Sequence, residues 1–226
     1  MIRTVGLGAG GHAKVIIDIL TRIGGYEIVG VFDPDERLWG TCLLGVPILG
    51  GDNLIPEYVR VAPNAFLGIG SIGPTVRRQE LFEKIVRSGL RPISAIHPNS
   101  TVSSSAEIGS GATVTAGAVV GPNAHLGTNV IVNSGAVVEH DCQIGDHVHI
   151  APGVTLSGGV HVGAGSHIGV GATVIQGVHI GNEAIVGAGA VVIRDVPDRV
   201  QVVGVPAEIV KALAARGTRI AGSELQ

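Results

Sequence analysis

The chain contains 226 residues, 36 of them glycine, with 45% hydrophobic and only 3% aromatic residues and a formal net charge of −3. The glycines have no G-X-Y period, which excludes collagen, and the hydrophobic content excludes a disordered chain. The small net charge predicts no attraction to nucleic acid or an anionic membrane, and the N-terminus lacks the apolar region of a signal peptide. Cys42 and Cys142 fit no metal or disulfide pattern, which favours a reducing cytoplasm.

The first part of the chain, residues 1–93, alternates between strand and helix patterns. The apolar spacing predicts strands at 4–7, 27–32 and 65–69, and helices at 13–23 and 75–87. This alternation is typical of a small α/β domain with an open parallel sheet and a Rossmann-like arrangement.

A glycine turn connects the first predicted strand to the first helix. Gly6, Gly8 and Gly11 match the spacing of the dinucleotide-binding fingerprint, and the helix amides that follow could cradle a phosphate. Asp33, at the end of the second strand, could accept a ribose hydroxyl. Because 93 residues are few for a complete NAD domain, a nucleotide diphosphate is the favoured ligand. The alternative is that the glycines serve only tight strand–helix packing.

The second part, residues 94–206, contains a repeat of six residues. From Ile96 to Val192 every sixth residue is Val, Ile or Leu, which gives 17 positions in one register. The position three later is mostly Gly or Asn, which indicates a positive φ at a corner. Three short strands therefore close a triangular coil of 18 residues. The uncharged runs at 108–138 and 147–182 are interrupted by turn residues, so we do not expect membrane helices.

This repeat resembles the hexapeptide-repeat family, whose members fold as left-handed parallel β-helices, usually form homotrimers and are often acyltransferases. The glycine-turn segment and residues 132–145 together resemble the sugar O/N-acetyltransferases related to sialic acid and bacillosamine biosynthesis. The most similar group acetylates the 4-amine of a nucleotide-linked 4-amino-4,6-dideoxyhexose. The resemblance implies acetyl-CoA as cosubstrate, active sites at subunit interfaces, and a nucleotide-sugar site that includes Gly10, Gly11, His12, Asp33 and Gly70.

The catalytic residues implied by the resemblance are His140 as general base and Asp141, which orients or tunes it. Both fall at corner positions of their hexad, where side chains can point outward. An imidazole can take a proton near neutral pH, and an adjacent carboxylate increases its basicity. Cys142 falls at an inward offset, so we expect it to be buried and not a nucleophile.

The acetyl-CoA site is also implied by the resemblance. It places His149 at the thioester end and lines the rest of the cosubstrate with Val170, Gly187, Ala188, Gly204 and Pro206. The family often has Lys after the closing Pro-Ala, where this chain has Glu208. Lys211 or Arg216, on a short helix predicted within 207–226, could supply that cation instead.

Three alternatives remain at the level of the sequence. A sialic-acid-type O-acetyltransferase would share every motif. A hexapeptide carbonic anhydrase carries two zinc histidines five residues apart, whereas His149/His167 and His161/His179 are spaced by 18, so no metal is expected. A nucleotide-sugar-binding protein without activity would need no His140–Asp141 pair. The nucleotide (UDP, dTDP or GDP) is left open.

Overall fold

The computed structural model describes residues 1–214, and Arg216 therefore lies outside the described residues. Within this range, no helix has the length and apolar character needed to cross a membrane. The chain forms an α/β part followed by a three-sided stack of short parallel strands.

The α/β part contains one six-stranded sheet. Its elements are β1 (Ile2–Leu7), α1 (Gly11–Ile23), β2 (Tyr26–Phe32), a 3₁₀ turn (Glu36–Leu38), β3 (Cys42–Leu43), β4 (Val46–Gly50), a second 3₁₀ turn (Asp52–Leu54), α2 (Ile55–Tyr58), β5 (Asn64–Leu67), α3 (Val76–Arg87) and β6 (Arg91–Pro92). The strand order is β3-β4-β2-β1-β5-β6, and only β3 and β4 pair antiparallel. The predicted open parallel sheet is confirmed; the β3–β4 hairpin and α2 had no prediction.

Helices cover both faces of this sheet. On one face α1 buries Ile16 and Leu20 against Val31 and other apolar side chains of the sheet. On the other face α3 buries Phe82 and Ile85 in the core that surrounds β1 and β5. This two-sided coverage explains why the central strands are apolar along most of their length.

The second part consists almost entirely of two-residue strands. They are β7 (Ala95–Ile96), β8 (Thr101–Val102), β9 (Glu107–Ile108), β10 (Thr113–Val114), β11 (Val119–Val120), β12 (His125–Leu126), β13 (Ile131–Val132), β14 (Val137–Val138), β15 (Gln143–Ile144), β16 (His149–Ile150), β17 (Thr155–Leu156), β18 (His161–Val162), β19 (His167–Ile168), β20 (Thr173–Val174), β21 (His179–Ile180), β22 (Ile185–Val186), β23 (Val191–Val192), β24 (Val200–Val203) and β25 (Glu208–Ala212).

These strands stack into three faces, which confirms the predicted triangular coil. Face 1 contains β7, β10, β13, β16, β19, β22, β24 and β25; face 2 contains β8, β11, β14, β17, β20 and β23; face 3 contains β9, β12, β15, β18 and β21. Residues of β7 to β20 pair with the residue 18 positions later, as Ile150 does with Ile168, and in the last coil the spacing falls to 16, as between Val186 and Val202. We call the turns between them corner 1–2, corner 2–3 and corner 3–1.

The corners have the backbone conformation that the repeat predicts. All nine glycines at the third offset, from Gly111 to Gly189, have positive φ, as do Asn123 and Asp141. The repeated aliphatic residues fill the interior of the prism, where Leu126 and Ile150 are fully buried. Each coil packs only on the coil above and the coil below, so the buried side chains form one continuous core along the prism.

The predicted C-terminal helix is wrong for the segment that the structure describes. Residues Glu208–Ala212 form β25, which pairs antiparallel with β24 at the end of face 1. A last parallel strand would leave a row of unpaired backbone groups, and the hairpin covers that edge. Lys211 therefore lies on a strand, exposed to solvent.

Candidate active site

The glycine turn that precedes α1 is open toward solvent. Gly8 has a φ of 92°, and a Cβ at this position would lie 2.4 Å from Cγ2 of Ile69. In contrast, Gly10 and Gly11 have no atom within 4 Å of an added Cβ. The helix begins at Gly11, and its N-cap residue Gly10 makes no side-chain capping bond. The first amides of α1 are therefore available to an anion.

Asp33 organises this turn from the end of β2. Its Oδ2 accepts a hydrogen bond from the backbone N–H of Ala9 at 2.7 Å, and its Oδ1 accepts one from the N–H of Asp35 at 2.9 Å. The sequence placed Asp33 correctly beside the glycine turn. Its predicted contact with a ribose stays a prediction.

A cleft of about 410 Å³ lies where the α/β part meets face 1. It is lined by His12, Val15, Gly70, Ser71, Ile72, Asn133 and His149. The structure thus brings together His12 and Gly70, predicted for the nucleotide-sugar, with His149, predicted for the thioester end of acetyl-CoA. The cleft is a concave site formed by both parts of the chain.

The hydrogen bonds of His149 define its tautomer. Its Nδ1 lies 2.9 Å from the carbonyl oxygen of Ser71 and 3.0 Å from the Ser71 hydroxyl. Since a carbonyl can only accept, Nδ1 carries the proton. The side-chain oxygen of Asn133 accepts from the Ser134 amide, so its NH₂ donates to His149 Nε2 at 3.3 Å. His149 is therefore a neutral imidazole held by both parts of the chain.

Burial keeps three histidines near this cleft neutral. Burial, followed by the charges of His167, Arg78 and His12, lowers the pKa of His149 to about 3. Burial and then the charge of Arg78 lower the pKa of His12 and of His167 to about 4. The rings of His149 and His167 meet edge to face with centroids 5.0 Å apart. None of the three can act as a cation near neutral pH.

Arg78 is a buried cation that joins α3 to corner 3–1. Its side chain is among the largest fully buried ones, and its guanidinium donates to the backbone carbonyls of Asn129 and His147. It also donates to Oδ1 of Asn129 at 3.1 Å. Burial lowers the pKa of Arg78 to about 9, so it stays charged at neutral pH. The α/β part is thereby fixed to the β-helix at a second point.

His140 and Asp141 form a hydrogen-bonded pair on corner 2–3. His140 Nδ1 lies 2.7 Å from Asp141 Oδ2, and both side chains are more than half exposed. The hydrogen bond from His140, and then one from Asn123, lower the pKa of Asp141, so its carboxylate is ionised. The anionic Asp141 accepts a hydrogen bond from the Nδ1–H of His140, which leaves Nε2 without a proton and able to accept one.

Cys142 follows this pair but is not accessible. Its side chain is fully buried, and its thiol donates to the carbonyl of Ser157 at 3.3 Å. Burial raises the pKa of the thiol. The expected inward position of Cys142 is confirmed.

Apart from His149, which lies on β16, the residues predicted to bind acetyl-CoA lie on a different corner from His140. Val170, Ala188 and Gly204 follow face-1 strands on successive coils, so they form one column along corner 1–2, and Val170 is 56% exposed. Gly187 lies in the same column, where a Cβ would be 2.7 Å from Cγ1 of Val203. Pro206 is exposed in the turn that ends the column. The width of face 2 separates this column from the His140–Asp141 pair.

The two histidine pairs that are spaced by 18 residues lie on neighbouring coils. His149 pairs with His167 on face 1, and His161 pairs with His179 on face 3, where the rings stack with centroids 4.4 Å apart. Among residues 1–214, no group of three or more His, Cys, Asp or Glu side chains is arranged to hold a metal ion.

Four residues that contact the predicted site residues had no prediction. Asn123 and Gly158 contact the His140–Asp141 pair from adjacent coils, 18 residues before Asp141 and 18 after His140. That spacing was available in the repeat. Ser71 and Arg78 had no comparable signal, since their partners lie in the other part of the chain.

The structure combines a prism of hexapeptide coils, an accessible histidine–carboxylate pair and an α/β part with an open glycine turn. This combination defines a hexapeptide acyltransferase. Residues 5–85 match the PglD N-terminal domain family, and residues 123–158 match the bacterial transferase hexapeptide family (six repeats). The repeat is thus the left-handed β-helix of that family. No curated protein sequence matches the chain.

Solved structures identify the family more narrowly. A GDP-perosamine N-acetyltransferase from Caulobacter crescentus, solved with CoA and GDP-perosamine as a variant with one histidine replaced by alanine, is 41% identical; the match covers 92% of this chain and 96% of that chain with a TM-score of 0.85. The acetyltransferase domain of PglB from Neisseria gonorrhoeae, solved with acetyl coenzyme A, is 35% identical over 92% and 99% of the chains, with a TM-score of 0.84. WeeI from Acinetobacter baumannii is 30% identical over 92% and 100%, with a TM-score of 0.80. The chain belongs to this family of amino-sugar acetyltransferases.

Proposed function

We propose that the protein transfers an acetyl group from acetyl-CoA to the 4-amino group of a nucleotide-linked 4-amino-4,6-dideoxyhexose. Residues 1–93 form the nucleotide-sugar domain and residues 94–206 the acetyl-transfer domain. The observation that carries the proposal is the His140–Asp141 hydrogen bond of 2.7 Å, which leaves Nε2 of an exposed imidazole free to accept a proton. The 41% identity to a GDP-perosamine N-acetyltransferase supports the acceptor class.

The chemistry requires one proton acceptor and no acyl-enzyme. The amine nitrogen of the sugar attacks the thioester carbonyl carbon, and His140 Nε2 takes the amine proton as the C–N bond forms. The C–S bond then breaks, the sugar amide is released, and the His140 imidazolium gives its proton to the CoA thiolate, which leaves as the thiol. Asp141 stabilises the imidazolium that forms. The buried Cys142 has no part in this sequence.

The substrate side of the proposal uses the cleft and the glycine turn. The exposed amides of Gly10 and Gly11 receive the diphosphate, and His12 and Gly70 contact the sugar nucleotide from the cleft wall. The neutral His149 lies in the wall of the cleft, beside the thioester of acetyl-CoA. Val170, Gly187, Ala188, Gly204 and Pro206 line the rest of the cosubstrate along corner 1–2.

We propose a homotrimer in which face 2 points toward the three-fold axis. Its outward side chains are small and uncharged: Thr101, Val119, Val137, Thr155, Thr173 and Val191. The outward side chains of face 3 are all polar: Glu107, His125, Gln143, His161 and His179. Because charged residues are depleted at the centre of subunit interfaces, face 2 is favoured over face 3 as the surface buried in the trimer.

This arrangement also resolves the separation of the two half-sites. When three prisms present face 2 to a common axis, corner 2–3 of one copy adjoins corner 1–2 of the next. His140 of one copy then meets the acetyl-CoA column of its neighbour. The active site is therefore incomplete without a second copy. The free cysteines and the need for acetyl-CoA support action in the cytoplasm.

The acceptor is tested with UDP-, dTDP- and GDP-linked 4-amino-4,6-dideoxyhexoses and acetyl-CoA, with CoA thiol release as the readout. Matched 4-hydroxy sugars and sialic acid test the O-acetyltransferase alternative. We expect turnover only with the 4-amino sugars, and only with those that carry one of the three nucleotides. His140→Ala should lower kcat by about 10³-fold or more with unchanged CoA affinity, whereas His161→Ala on face 3 should retain activity. Near-normal turnover by His140→Ala would refute the assignment of the base.

The shared site is tested by mixing two inactive variants. His140→Ala keeps an intact corner 1–2, and Val170→Trp obstructs corner 1–2 but keeps His140. After dissociation and reassembly at equal amounts, each mixed trimer regains one site, so about a quarter of wild-type activity should return. If mass spectrometry shows mixed trimers but no activity returns, the shared site is wrong.

A further inference from the structure

Gly158 stands apart from the other glycines of the repeat. The remaining ones occupy the first or third offset, where corners turn or coils approach closely, whereas Gly158 is at the second. Its φ is not in the positive region, unlike that of Gly159 at 66°. The backbone at this position accepts any side chain, so its conformation gives no reason for a glycine.

The imidazole of His140 explains why position 158 is a glycine. A Cβ at position 158 would lie 2.5 Å from both Cε1 and Nε2 of His140 and 3.1 Å from its Cδ2. Such distances are shorter than any van der Waals contact. The ring therefore rests on the bare backbone of the next coil, and it does so through the edge that carries Nε2.

Three successive coils hold the pair in place. Asn123 on the preceding coil donates to Asp141 Oδ1 at 3.4 Å, and Asp141 Oδ2 holds His140 Nδ1 at 2.7 Å. Gly158 on the following coil supports the opposite edge of the ring. The Gly159 amide also donates to the His140 carbonyl at 2.9 Å, which fixes the two coils relative to each other.

We propose that Gly158 is a positioning residue, whose missing side chain sets the orientation of the His140 imidazole. This inference rests on the proposed function of His140 as base. Because His140 is more than half exposed, a methyl group at 158 would rotate the ring outward and leave the coil intact. The rotation separates Nδ1 from Asp141 and moves Nε2 away from the amine.

The test is Gly158→Ala. A misplacement of about 1 Å in a reacting group costs about 10²-fold, so kcat should fall about 10²-fold with KM for acetyl-CoA within about 3-fold of wild type. Thermal stability should be unchanged. In ¹⁵N NMR spectra the hydrogen-bonded Nδ1–H signal of His140 should be lost or shifted, a readout that is independent of activity.

Two controls separate positioning from other effects. Gln176→Ala changes the equivalent position one coil further on and should leave kcat and the NMR signal unchanged. In a His140→Ala background, Gly158→Ala should cause no further loss of residual activity. A further loss in that background would show that the methyl group obstructs substrate, and this would overturn the proposal.

Failure of this inference and failure of the base assignment give different results. If His140→Ala is inactive but Gly158→Ala keeps wild-type kcat and an unchanged NMR signal, the positioning role is refuted and the base stands. If His140→Ala keeps its activity, the proposed function itself is wrong.

Discussion

We predict that the folded protein loses stability as the pH falls from 7 to 5, because of two buried histidines on face 1. His149 and His167 are 6% and 9% exposed, and their pKa values are lowered from 6.5 to about 3 and about 4. The unfolded chain therefore binds protons below pH 6.5 that the folded chain rejects. By linkage, the stability present above pH 6.5 is lost as the pH falls toward the folded pKa values.

The magnitude follows from the two pKa values of each group. Between pH 7 and pH 5, a histidine that titrates near 6.5 when unfolded and near 4 or below when folded lowers the free energy of unfolding by about 2 kcal/mol. The two residues together lose about 3 to 4 kcal/mol. His12, with its pKa lowered to about 4, acts in the same direction. A loss of this size is a large fraction of a typical stability of about 5–15 kcal/mol.

The assay is thermal denaturation at pH 7, 6 and 5 at one protein concentration. For a chain of this length, about 3 to 4 kcal/mol corresponds to a fall in Tm of roughly 10 °C. Few carboxylates titrate in this window, since their usual pKa values lie near 4. His149→Gln and His167→Gln should each remove about half of this face-1 part of the fall, while the share of His12 remains. His161→Gln, at the same repeat offset but exposed on face 3, should leave the fall unchanged.

The slope with pH distinguishes this explanation from general acid sensitivity. Each glutamine variant changes stability at pH 7, but only a titrating imidazole changes how stability varies with pH. If the double variant His149→Gln/His167→Gln loses as much Tm between pH 7 and pH 5 as the wild type, the buried histidines are not the cause.

Two further perturbations test the supports of the site. Arg78→Met should lower the free energy of unfolding by about 2 to 4 kcal/mol in urea denaturation, because the carbonyls of Asn129 and His147 lose a buried charged donor; Arg77→Met on the same helix is the control, and equal effects would contradict the reasoning. Asn123→Gly removes the 3.4 Å contact to Asp141 and keeps the positive φ of 54°, so kcat should fall about 3- to 10-fold with little change in Tm; an effect as large as that of His140→Ala would show that Asn123 does more than support Asp141.

The repeat could be predicted because each of its residues obeys a local rule. A β-branched or leucine side chain every six residues fills the prism, and a residue that tolerates positive φ turns each corner. Asp141 was recognised because it replaces glycine at such a corner, and its φ of 59° confirms the conformation. The C-terminal helix was wrong because pairing with the open edge of β24 outweighs helix propensity over five residues.

The contacts around the cleft could not be predicted in the same way. Ser71 meets His149 across 78 positions in the chain, and Arg78 meets Asn129 across 51. Such separations depend on how the α/β part packs on face 1, and no period links them. Asn123 and Gly158 differ, since a search at 18 residues before and after the His140–Asp141 pair finds both.

The position of each group in the prism determines what one copy can do alone. Ser71 and Arg78 fasten the α/β part to face 1 and to corner 3–1, so the cleft and His149 lie between the two parts, beside the column on corner 1–2. His140 lies away from the cleft and the column, on corner 2–3. In the proposed trimer one copy therefore binds both substrates and its neighbour supplies the base, so substrate affinity and proton transfer belong to different chains. Substitutions at His140 should then affect kcat without KM, and substitutions in the cleft should affect KM first.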